Sequence, residues 1–100
     1  SEIINVGGEK VYPQEIEDVL LEMDNVAEAT VYGEKNSIIG NIVCAKIRLV
    51  KDEPRKALAN RVKKYCSTTL QKYKIPVKIK IENIAQHGSR FKKIRNIDNV

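Results

Sequence analysis

Two stretches carry residues whose types and spacing could do chemistry, and they sit near opposite ends of the chain: "NVGGEKVYP" at 5–13 and "GSRFKKIRN" at 88–96. In the first, Gly7 and Gly8 can take the positive φ that a tight reversal requires. The second is a basic loop. There is no Walker loop, HExxH, nucleophile elbow or paired-cysteine motif, so a self-contained catalytic constellation is not expected. Cys44 and Cys66 stand 22 positions apart in a chain with one histidine. That spacing predicts buried free thiols and no metal site. His87, beside Gly88, has no evident partner and reads as a loop residue.

Composition limits what these stretches could serve. One hundred residues support a single core but not a two-lobed enzyme, so any site needing a second wall must borrow it. With 42% hydrophobic and 31% charged residues and no long polar tract, a folded domain is predicted. Apolar runs fall far short of a membrane span, and the first residues lack the order of a signal peptide; no membrane association and a cytoplasmic location are expected. The net charge of +5 is unevenly spread: residues 1–45 carry two basic side chains against nine acidic, and residues 46–100 carry sixteen against four. Such a cationic half attracts polyanions, among them nucleic acids, ATP, pyrophosphate and the phosphates of coenzyme A; a solvated lysine-rich face is the plainer alternative.

Periodicity supplies the elements that must position these residues. Residues 3–6 and 10–12 read as a short hairpin around the glycine pair. Pro13 suits a first helical turn, Glu15, Glu17 and Asp18 favour the positive end of the dipole, and Ile16, Val19, Leu20 and Met23 form one stripe on a helix over about 13–23. Strands are predicted over 26–33 and about 42–50, separated by the loop "EKNSIIGN"; in the second, Val43, Ala45, Ile47 and Leu49 face one way, Lys46 and Arg48 the other. Asp52 or Glu53 before Pro54 is a plausible helix start, with Leu58, Val62, Cys66 and Thr69 or Leu70 keeping the period to about 71. "YKIP" ends that pattern, and Val77, Ile79 and Ile81 alternate with charged residues as a third strand. The predicted class is α+β: a small three-stranded sheet, antiparallel or mixed, packed with two helices, plus the N-terminal hairpin.

The order "EIINVGGEKVYPQEIEDVL", then "VAEATVYG", "GNIVCAKIRL" and "YKIPVKIKIENI", followed by a lysine-bearing loop, resembles the C-terminal domain of the adenylate-forming superfamily of acyl-CoA synthetases, nonribosomal peptide synthetase adenylation domains and luciferase. The likeness covers essentially the whole chain. Its most specific part is Ile3 to Leu20, where a glycine turn, "YP" and "EIE" occur together. The resemblance implies that residues 1–100 are one mobile C-terminal domain serving a large N-terminal domain of the same polypeptide. That larger domain would hold most of the pocket for ATP with Mg2+ and for the carboxylic-acid substrate.

Such enzymes form an acyl adenylate and pyrophosphate, then let a thiol acceptor, coenzyme A or a carrier-protein phosphopantetheine, displace AMP. The resemblance implies that the small domain rotates between the steps, presenting a lysine loop for the first and the glycine-turn face for the second. It places Gly7, Gly8 and Glu9 on the acceptor channel, Lys10 and Arg95 near phosphate, and the hinge at Ser1 or just before it. For the catalytic lysine, ungapped counting from the "YKIP" proline selects Lys92, and matching a lysine followed by isoleucine selects Lys93. The family's loop is "GK" with an apolar and then a basic residue; here phenylalanine or lysine stands where glycine is usual. This fragment alone is expected to be inactive and to bind none of these molecules tightly. Two other readings are a catalytically silent docking domain derived from the ligase fold and a small basic nucleic-acid-binding module. Against the latter, only five aromatics are present and no basic GxxG clamp is visible.

Overall fold

A computed structural model describes residues 2–82. The elements run β1 (Ile4–Val6), β2 (Glu9–Val11), α1 (Pro13–Leu20), β3 (Val26–Asn36), β4 (Gly40–Leu49), α2 (Arg55–Cys66), a 3-10 turn (Lys72–Lys74) and β5 (Lys78–Glu82). β4 is the axis of the sheet. β3 pairs antiparallel along its length, while its other edge takes β1 at Val6 opposite Gly40 and, parallel, β5 from Lys78 opposite Cys44 to Glu82 opposite Arg48. The expected three strands and the expected hairpin are therefore parts of one mixed five-stranded sheet. The α+β class and the two helices are as the sequence predicts.

Both helices bury their stripes against one face. Ile16 and Leu20 of α1, Leu58, Val62 and Cys66 of α2, and Val31, Val43, Ala45, Ile47 and Ile79 of the sheet form one buried cluster. Truncating a residue such as Leu20 or Ile47, both fully buried, typically costs about 2–5 kcal/mol. The opposite sheet face carries the alternating charged residues as cross-strand pairs: Arg48 with Glu28, Lys46 with Glu82 and Lys78 with Glu34. The Lys80 ammonium lies 6.0 Å from the Tyr32 ring centroid on that face.

Several ends differ from the sequence expectation for local reasons. α1 stops at Leu20 rather than near 23, because Glu22 and Met23 donate to carbonyls three residues back and Asn25 then turns left-handed at φ 70°. Met23 is still buried. α2 stops at Cys66 rather than about 71: the hydroxyls of Ser67 and Thr68 donate to the carbonyls of Lys64 and Tyr65, drawing the chain off the helix. Its start is Pro54 without a side-chain cap, because Glu53 instead accepts from Asn25 and Arg61. Strand β3 runs past Gly33 to Asn36, leaving a shorter loop than "EKNSIIGN" suggests. Gly33 does not break it because Ile4 packs over the bare α-carbon; a Cβ there would stand 3.0 Å from Ile4 Cγ2.

β3 is also an edge strand, and α1 covers it chemically as well as sterically. The Glu17 carboxylate accepts the Val31 N–H at 2.8 Å, occupying a donor that a foreign strand could otherwise use.

Candidate functional site

The glycine pair forms a two-residue hairpin loop, since Val6 lies opposite Glu9. Both residues are left-handed, Gly7 at φ +56° and Gly8 at φ +90°, the signature of a type I′ turn whose twist matches its strands. The loop is held from below. The Gly7 N–H donates to the Ile39 carbonyl at 2.8 Å, and the Gly8 N–H to Asn5 Oδ1 at 3.0 Å. The Asn5 carbonyl in turn accepts Asn41 Nδ2 at 3.2 Å. Among the described residues, a Cβ built on either glycine meets nothing within 4 Å.

Glu9 and Lys10 leave the turn on β2 with exposed side chains, Lys10 opposite Asn5. Among the described residues neither has an ion-pair partner. The structure thus brings Gly7, Gly8, Glu9 and Lys10 together on one projecting tip. Ser1, His87, Lys92, Lys93 and Arg95, to which the sequence assigns a hinge, a loop and cationic roles, lie outside the described residues.

Beside the tip runs an open apolar groove of ≈ 460 Å³, lined by Val6, Ile39, Ile42, Tyr73, Ile75 and Val77. Val77 is 69% exposed and Ile39 41%. The segment forming its far wall is tied down at both ends. The Lys74 amine reaches both Glu15 carboxylate oxygens at 3.0 and 3.1 Å, and the Val77 N–H donates to the Val43 carbonyl at 2.9 Å. Its hydrogen bonds to Glu15 hold the Lys74 ammonium above its ordinary range. On the other side of the Asn36–Gly40 turn, the hydrogen bond from Lys78 keeps the Glu34 carboxyl below its ordinary range and lifts Lys78 in return.

Sequence reasoning missed the groove and the bracing of the turn. Asn5, three residues before Gly8, was the available signal, because an Asn oxygen readily caps an N–H a few residues on; Asn41 and Ile39 approach only through the sheet. Both cysteines are buried as expected: burial pushes the Cys66 thiol up to about 11 and raises Cys44 also, the latter with help from the Glu34 carboxylate. No group of three or more potential metal ligands occurs among the described residues, nor is any helix there long and apolar enough to cross a membrane.

Comparison with known proteins gives this chain a family. Residues 15–89 match the model of the AMP-binding enzyme C-terminal domain. The chain is 40% identical over 79 residues to the 2-succinylbenzoate–CoA ligase of Geobacillus kaustophilus, covering 79% of this chain and 16% of that enzyme. It is 36% identical over 78 residues to the 3,4-dihydroxybenzoate–(aryl-carrier protein) ligase of Bacillus anthracis, covering 78% and 18%. A solved structure of o-succinylbenzoate CoA synthetase from Bacillus subtilis, bound with a product analogue, superposes with a TM-score of 0.75 at 35% identity, covering 96% of this chain and 19% of that one. The chain spans only between 11% and 19% of the length of the curated relatives named here and their like. Matched over three quarters of its residues by the family model and over nearly all of them by a solved relative, the chain belongs to the AMP-binding enzyme C-terminal domain family of the adenylate-forming ligases.

Proposed function

We propose that this domain serves a two-step acid–thiol ligase, supplying a cation for acyl-adenylate formation and the bare glycine tip for thioester formation. The observation that carries the reading is the tip: a hydrogen-bonded, side-chain-free turn with room above it that the described residues do not use. In the first step a carboxylate oxygen attacks the α-phosphorus of ATP, an acyl–phosphate bond forms and pyrophosphate leaves. In the second a thiolate attacks the acyl carbon and AMP leaves. The large N-terminal domain of the same polypeptide supplies the other wall of the site, and this domain turns between the steps.

The residues present suit only part of that chemistry. Lys10 and, beyond the described residues, Lys92, Lys93 and Arg95 suit phosphate oxygens. The described carboxylates do not cluster as a donor set for Mg2+, so the reading assigns that ion to the larger domain. A narrow pantetheine arm fits the tip, because Gly7 and Gly8 let backbone approach it closely. The acceptor is coenzyme A or a carrier-protein phosphopantetheine; relatives with both kinds of name match this chain. The nucleic-acid alternative loses ground on the helix-free sheet face, where Glu28, Glu34 and Glu82 neutralise Arg48, Lys78 and Lys46.

The test uses the full-length protein and separates the half-reactions. Loss of one preorganised electrostatic contact typically slows a step about 10²- to 10³-fold. Either Lys92→Ala or Lys93→Ala should therefore depress ATP–pyrophosphate exchange by that order, with little effect on thioester formation from a preformed acyl adenylate. If neither substitution moves exchange, the adenylation role is wrong and a silent docking domain is the better description.

A further inference from the structure

We infer that Asn5 and Asn41 are positioning residues for the thiol-transfer step, acting through the glycine tip; the inference rests on the function proposed above. A type I′ loop of two glycines is the least restrained turn a hairpin can have, because each glycine has more conformations to lose than any other residue. Left to itself such a tip would fray, and a short two-stranded ribbon is marginal in water. Here β1 and β2 are three residues each, and β1 meets β4 at the single pair Val6 and Gly40.

What restrains the tip is a chain of three contacts. Asn5 Oδ1 takes the Gly8 N–H, the Ile39 carbonyl takes the Gly7 N–H, and Asn41 Nδ2 holds the Asn5 carbonyl. Both N–H groups of the loop are thereby directed inward. The close side is also sterically set: Gly40, at φ +95°, lies under the same Asn5 carbonyl, 3.4 Å from where a Cβ would stand. Asn36 completes the support by accepting the Ile38 and Ile39 N–H groups on its Oδ1, at 2.9 and 3.2 Å, which fixes the two peptides that lead to the one offering the Ile39 carbonyl. The hydrogen bonds of Asn5, Asn36 and Asn41 all go to backbone groups of the hairpin and its support, so their effect on an acceptor is carried through the backbone they hold.

The experiment is done in the full-length protein with both half-reactions measured. Asn5→Leu keeps the size of the side chain and removes the acceptor; Asn5→Asp keeps an acceptor oxygen. The expected result is a loss of about tenfold in the rate of thioester formation for Asn5→Leu, pyrophosphate exchange within about twofold of wild type, and recovery of most of the lost rate in Asn5→Asp. Asn41→Ala, one contact further from the tip, should lose about threefold in the same step only; it remains informative if Asn5→Leu fails to fold. Equal losses in both half-reactions, or no rescue by Asp, would overturn the inference in favour of a general structural role. Gly7→Asn serves as the control for the underlying reading. If it slows thioester formation while Asn5→Leu and Asn41→Ala do not, the brace is wrong and the glycine face stands; if none of the three matters, both fall.

Discussion

Asn25 and Gly7 have nearly the same backbone, φ 70° and +56°, in two turns that face different things. At the α1–β3 turn the side chain is put to use. Asn25 Nδ2 donates to the Lys51 carbonyl and to Glu53 Oε1, its Oδ1 accepts the Lys51 N–H at 2.7 Å, and its own carbonyl accepts the Val50 N–H. One residue thus ties the end of α1 to the segment leaving β4. At the β1–β2 tip the left-handed residues carry no side chain, and the tying is delegated to Asn5 from outside the loop. An Asn-Gly pair is the commonest way to make such a turn, and this chain tolerates a left-handed Asn elsewhere. Bareness at Gly7 therefore exceeds what the hairpin alone demands. The difference separates a turn that anchors from a turn that must stay clear.

The contrast can be broken at either end. The largest effect on stability should come from Asn25→Ala, which forces a Cβ-bearing residue without the Asn hydrogen bonds into the left-handed region: about 2–4 kcal/mol in chemical denaturation, combining roughly 1–2 for the backbone with about 0.5 for each of the three lost side-chain bonds. Asn25→Gly keeps the backbone and removes only the bonds, so it should cost about 1–2 kcal/mol. A loss near zero would show that the side chain anchors nothing. Gly7→Asn should sit at the other extreme, within about 0.5 kcal/mol of wild type, because Asn suits the first position of this turn. Yet it should slow thioester formation in the full-length protein by about tenfold or more, since the added side chain occupies the space the acceptor needs. If the stability is unchanged and the rate is too, the glycine at position 7 is a convenience of folding.

The smallest effect concerns the support of the tip, where Lys78 pairs with Glu34 on β3, two residues before Asn36. The Lys78 hydrogen bond depresses the Glu34 carboxyl below its ordinary value of 4.5. A depressed carboxylate adds stability that is fully present above pH 4.5 and is lost as the pH falls through the lower folded value. The gap in unfolding midpoint between wild type and Glu34→Gln should accordingly be steady at neutral pH and close under acid. A gap that widens in acid would contradict the pairing.

Local signals were legible wherever a residue's own covalent character decides the outcome. Gly7 and Gly8 announced a reversal, Pro13 a helix start, and the alternation through Val43, Ala45, Ile47 and Leu49 a half-buried strand, because φ preference and side-chain period are properties of a few consecutive residues. The family resemblance was legible for the same reason: "VGGEKVYPQEIE" concentrates its glycine, proline and acidic residues in one short window. Element ends were less legible. Asp52 or Glu53 looked like a cap, but Glu53 is drawn to Arg61 and Asn25, eight and twenty-eight residues away. Gly33 looked like a strand end, but Ile4 fills the space above it.

From its order of residues alone, then, this protein determined a glycine hairpin, two amphipathic helices, three alternating strands and membership in a recognisable family, all consequences of short-range sterics and periodicity. Tertiary structure decided what those pieces are for one another: that the hairpin joins the edge of β4 instead of standing apart, that Asn5, Ile39 and Asn41 converge beneath the tip, and that Glu17 closes the outer edge of β3. Those contacts span from three to thirty-six positions. They exist only once the sheet has brought distant backbone groups within hydrogen-bonding distance, which no local pattern encodes.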